Sequence, residues 1–117
     1  MTDKTPAQLA GTAADAVRGL NHATLVRQAD WEYPGDAYSV VANLSQMAMT
    51  LPQAIGQVQS LIEFLNAHDN LRSDKGTLDD DLAQTVGGLA DAKAAAEALY
   101  AALNRAHSGL GPIAYQD

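Results

Sequence analysis

The sequence predicts an all-α protein, a single bundle of three long antiparallel helices in up-down-up order, and three observations carry that expectation. Alanine supplies 23 of the 117 residues, and it has the best helix propensity of any side chain. The β-branched and aromatic residues that strands favour are scarce, with six valines, three isoleucines and six aromatics, which excludes an all-β fold. Apolar residues recur at steps of three and four along three stretches separated by polar or turn-forming segments. A chain of this length is one domain, so residues 1–117 are read as a unit with frayed ends.

The first helix is expected at about 5–28. Thr5 can cap it, Pro6 suits the first helical position, and Leu9, Ala13, Ala16, Leu20 and Ala23 then form a stripe that Val17 and Thr24 widen. Gly11 and Gly19 lower its stability by up to ~1 kcal/mol each relative to alanine. The segment Ala29 to Asp36 breaks the pattern with Pro34-Gly35, which is turn chemistry.

Asp36 is then expected to cap a second helix over about 36–68. Val41, Leu44, Ala48, Leu51, Ile55, Val58, Ile62 and Leu65 follow its three-four steps without a slip. Pro52 falls inside this run, where it removes one backbone hydrogen bond. Thr50 and Gln53 have the spacing of a capping box, which would split the stretch and give four helices. The unbroken apolar phase favours one helix kinked at Pro52.

A polar segment, Asp69 to Gly76, makes the second connection, and Thr77 is expected to cap the third helix, about 77–107. Asp79, Asp80 and Asp81 lie in its first turn, where the macrodipole is positive. Leu82, Thr85, Leu89, Ala92, Ala96, Leu99, Leu103 and Ala106 form its stripe, and the helix is expected to end near Ser108-Gly109, with Pro112 beyond. In an antiparallel hairpin turning near Ser73, Gly56 comes opposite Gly87 and Gly88. Either the two backbones cross closely there, or Gly87-Gly88 is a locally unwound turn.

The core is thin. Leu, Ile, Val and Phe together number 24, so alanine must let elements approach closely. The formal charge is −7, which argues against binding to phosphate backbones. No run reaches the ~20 apolar residues of a membrane span, and Met1 to Leu9 lacks the basic-then-apolar pattern of a signal peptide. A cytoplasmic protein that binds neither nucleic acid nor membrane is therefore expected. The absence of cysteine removes thiol nucleophiles, thiolate metal sites and disulfides.

Catalytic signals are missing as well. No serine sits in a Gly-x-Ser-x-Gly setting, and no glycine-rich phosphate loop occurs. No cofactor is implied. The strongest local anomaly is the cluster Trp31, Tyr33 and Tyr38, three of the six aromatics within eight residues. On a loop held by helices these rings suit partner binding, whereas folded inward they fill space that alanine leaves. His22 and His107 would share one end of an up-down-up bundle with Glu32, Asp30 and Asp36, and two histidines with a carboxylate can ligate zinc. Neither a histidine pair four apart nor a Glu-x-x-His step supports that set, so end capping is the competing role. Ala90, Ala94, Ala95, Ala98, Ala101 and Ala102 give the last helix a second smooth face, either a seam for a second subunit or partner helix, or simply exposed helix formers.

The strings Leu20-Asn21-His22-Ala23-Thr24, Tyr33-Pro34-Gly35-Asp36-Ala37-Tyr38-Ser39-Val40-Val41 and Leu51-Pro52-Gln53 resemble small helical proteins of actinobacteria found among plasmid-transfer and other mobile-element genes. The resemblance covers the first half of the chain and implies no reaction. In length, acidity and lack of cysteine the chain is also similar to secreted helical hairpins of the WXG100 type. It departs from them at Tyr33, where that group has glycine, and at Asn104, where its export signal has an acidic residue four positions after the tyrosine, here Tyr100. The combined expectation is a non-enzymatic interaction or accessory protein whose partner is another protein or a second copy of itself.

Overall fold

The computed structural model describes residues 3–25 and 33–114. Its elements are three helices, α1 (Pro6–Ala23), α2 (Tyr33–Ala67) and α3 (Leu78–Leu110), and no strand occurs among the described residues. The all-α expectation holds. The chain forms two compact units, residues 1–32 with α1 and residues 33–117 with α2 and α3.

α1 opens with a full capping box. The Thr5 hydroxyl accepts from the Gln8 backbone N–H at 3.1 Å, and the Gln8 side chain accepts from the Thr5 N–H at 2.9 Å, so two backbone donors are satisfied reciprocally. Pro6 stands at the first helical position, where its missing N–H costs nothing. The helix ends at Ala23, short of the expected Gln28, which lies outside the described residues. Thr24 is its C-cap: the Thr24 N–H makes the last helical bond, to the Leu20 carbonyl at 2.9 Å, and the Thr24 hydroxyl donates to the same oxygen at 2.8 Å.

α2 begins three residues before the expected start. Pro34 and Gly35, read from the sequence as a turn, are helical, and Asp36 stands in the first turn instead of at the cap. A proline so near the start removes an N–H that has no helical partner anyway. α2 is one helix through Pro52, not two. Thr50 does not start a fresh segment; its hydroxyl donates to the Met47 carbonyl at 2.9 Å along the continuous helix.

At its far end α2 closes with a Schellman motif. Asp69 takes φ +57, the Asn70 N–H donates to the Leu65 carbonyl at 3.0 Å, and the Asp69 N–H donates to Asn66 at 3.0 Å. Gly76, at φ +73, completes the connection. Thr77 occupies the cap position of α3 but makes no side-chain cap bond, contrary to expectation. Its hydroxyl instead donates to the Asp81 carboxylate at 3.1 Å, and Ser73 donates to the same oxygen. Asp81 thus ties the loop to the first turn, a task not read from the sequence. α3 runs on to Leu110, past the expected stop at Ser108-Gly109; glycine at 109 permits an end without forcing one.

α2 and α3 pack as an antiparallel hairpin. The Tyr38 ring lies on His107 with centroids 4.1 Å apart at the open end, and Ile62 lies beside Leu82 and Val86 near the loop. Its core is narrow: Ala48 is 1% exposed and Ala96 6%, with Ser45 also buried. The two most buried apolar residues are thus alanines, one on each helix, and side chains this small permit close helix packing.

The packing seam is rotated from the expected one. Half of each stripe holds: Val41, Ala48, Ile55 and Ile62 on α2 and Leu82, Leu89, Ala96 and Leu103 on α3 are buried or half-buried. The alternate positions move by one residue. Pro52 and Gln59 replace Leu51 and Val58, Ser45 is buried beside a Leu44 that stays half-buried, Leu65 also stays half-buried, and on α3 Val86, Tyr100 and His107 replace Thr85, Leu99 and Ala106. At the corresponding step Lys93 replaces Ala92, with its Nζ 3.8 Å from where a Cβ on Gly56 would stand. Serine and proline are thinner than leucine and fit a seam lined by alanine, and long polar side chains can lay their stems across a seam while their heads reach water.

Candidate protein-interaction face

The rotation leaves an apolar row outside the seam. On α2, counting from Ala37, residues Val40, Leu44, Met47, Leu51, Ala54, Val58, Leu61 and Leu65 follow steps of three and four for 29 residues with no polar member. Its middle is open: Met47 is 38% exposed, Leu51 37%, Val58 50% and Leu61 56%. Isolated exposed leucines are ordinary, but a continuous exposed row marks an interaction surface.

α3 carries the matching row Thr85, Gly88, Ala92, Ala95, Leu99, Ala102 and Ala106, all exposed. Each row lies at the same rotational offset from its own seam. In antiparallel helices equal offsets turn to the same side of the pair. The hairpin therefore presents one face, with a ridge of Leu, Met and Val on α2 beside a shallow track of Ala and Gly on α3. Ala95 and Ala102 of the expected smooth face belong to it; Ala90, Ala94, Ala98 and Ala101 are exposed elsewhere on α3.

The face is also free of charge. No acidic, lysine or arginine residue occurs from Ala37 to Ile62, and none occupies the α3 row from Thr85 to Ala106. The described ion pairs lie elsewhere, Arg18 with Asp15 on α1 and Arg72 with Asp74 in the connection. No helix is long and apolar enough to cross a membrane among the described residues.

The expected site residues are not gathered here. Trp31 and Glu32 lie outside the described residues, and Tyr33 is described by its backbone alone, in the first turn of α2. Tyr38 stacks on His107 beside Gly111, so both rings are part of the hairpin's open end. His22 is in the last turn of α1. No group of three or more His, Asp or Glu that could hold a metal ion occurs among the described residues. The expected meeting of three glycines does not occur: an added Cβ at Gly87 or Gly88 meets nothing within 4 Å, and Gly56 faces Lys93. Both glycines are nonetheless helical, so the locally unwound turn is absent too.

The outer row could have been found in the sequence, because Met47, Ala54 and Leu61 extend the α2 stripe at regular spacing. A helix apolar over so wide an arc serves two neighbours. No family model matches the chain, and neither a curated protein nor a solved structure matches it.

Proposed function

We propose that the chain is a non-enzymatic interaction protein whose α2–α3 hairpin binds another protein through the uncharged face beside its seam. The observation that carries this reading is the α2 row from Leu44 to Leu65, apolar at every step and open at Met47, Leu51, Val58 and Leu61. Its physical basis is the hydrophobic effect: completing the burial of one such side chain contributes on the order of 1 kcal/mol, and a row of them acts together. An interaction face of this kind suits a helix or helix pair, whose side chains can interlock with a ridge and an adjoining small-residue track.

The test replaces Leu51 and Val58 together by glutamine, which keeps helix propensity and size while removing apolar surface. The expected outcome is unchanged helicity by circular dichroism with at least tenfold weaker binding to a partner identified by reciprocal purification. Equal binding by the double variant would contradict the reading.

A further inference from the structure

We infer that the occupant of this face is a second copy of the same chain, seated with α2 of one copy over α3 of the other. The inference rests on the proposed interaction face and adds the identity of its partner. A two-fold contact must be self-complementary, because the same surface serves both sides. This face meets that condition in shape. Rotation by half a turn about an axis along the helices lays the ridge Leu51, Val58 and Leu61 of one copy into the track Gly88, Ala92 and Ala95 of the other, and the reverse contact forms at once. All neighbouring helices in the resulting four-helix assembly are antiparallel, with small residues under large ones.

The charge distribution selects the same occupant. A chain of formal charge −7 repels its own copy, so self-association needs a surface where no like charges are brought together. The α2 segment from Ala37 to Ile62 and the α3 row are such a surface, and they offer no cation to an acidic partner and no anion to a basic one. The area is sufficient as well. From Leu44 to Leu65 the face is about 32 Å long and two helices, or about 20 Å, wide. That projects to roughly 640 Å², close to the ~800 Å² per partner buried in a standard interface.

The test is light scattering of the full chain over about 5–200 µM, a range that spans micromolar dissociation constants. The expected mass rises to twice the 12.3 kDa of one chain, and Leu61→Lys returns it to one chain with helicity unchanged. Because the chain lacks cysteine, mixing Leu51→Cys with Ala95→Cys is expected to give a disulfide between the two variants in preference to either self-linked product. A one-chain mass at every concentration overturns the inference, whether the face is then covered by another segment of the same chain or by a different protein. A dimer indifferent to Leu61→Lys overturns it equally. If the mass stays at one chain while the Leu51→Gln/Val58→Gln variant still loses an identified partner, this inference fails and the proposed interaction face stands. If neither variant has an effect, both fail.

Discussion

Asp69 shows how a single residue closes an element at a measurable cost. It occupies the left-handed region at φ +57, where a side chain is disfavoured by about 1 kcal/mol and glycine is not. Aspartate is among the few residues that tolerate the position, and the Schellman bonds to Leu65 and Asn66 hold it there. Asp69→Gly is expected to raise unfolding stability by about 0.5–1 kcal/mol, and thermal melts of the two proteins check it. The sequence marked this stretch as a turn from its polar residues but gave no sign of which one turns left-handed. Thr5 and Pro6 were legible because a cap and a first-turn proline depend on immediate neighbours. Thr77 was misread for the opposite reason: its hydroxyl is taken by Asp81, a choice set by how the loop folds back.

At the scale of the element, periodicity located the three helices but not their ends or the direction each presents. The α2 stripe was read through Leu44, Leu51 and Val58 because these are the largest apolar side chains at three-four spacing. The hairpin instead takes in Ser45, Pro52 and Gln59, leaving Leu44 half-buried and Leu51 and Val58 exposed. Hydrophobicity alone ranks those positions the wrong way round. The glycines of α3 teach a related lesson. Gly87 and Gly88 sit in a helix interior with no neighbour within 4 Å of an added Cβ, so packing does not require them. Gly87→Ala is expected to raise stability by up to ~1 kcal/mol, since alanine loses less backbone entropy in a helix. Urea titration of this variant is the check. A loss of stability would mean a neighbour at that position.

At the scale of the whole molecule, both proposals depend on which side chains the hairpin itself consumes. A seam through Leu44, Leu51 and Val58 would consume every second member of the outer α2 row and leave Met47, Ala54 and Leu61 without a continuous face. The observed seam keeps Val41, Ile55 and Ile62 but takes Pro52 and Gln59 at the alternate steps, which leaves Leu51 and Val58 exposed. The composition made a thin core legible, and the structure gives the thinness a location: a hairpin core centred on Ala48 and Ala96 with a broad apolar row beside it. The aromatic cluster was the sequence's most conspicuous feature, yet of its three rings only Tyr38 has a described contact, against His107. The most direct measurement is disulfide formation in two double-cysteine chains, made at dilution so that links form within one molecule. Gln59→Cys with Val86→Cys spans the observed seam, and Val58→Cys with Thr85→Cys spans the one that apolar periodicity predicts. A bridge requires Cα atoms within about 7 Å, so the first pair is expected to link readily and the second to stay reduced. Linking of the 58/85 pair with the 59/86 pair left free would bury Val58 inside the hairpin and contradict the existence of an open face.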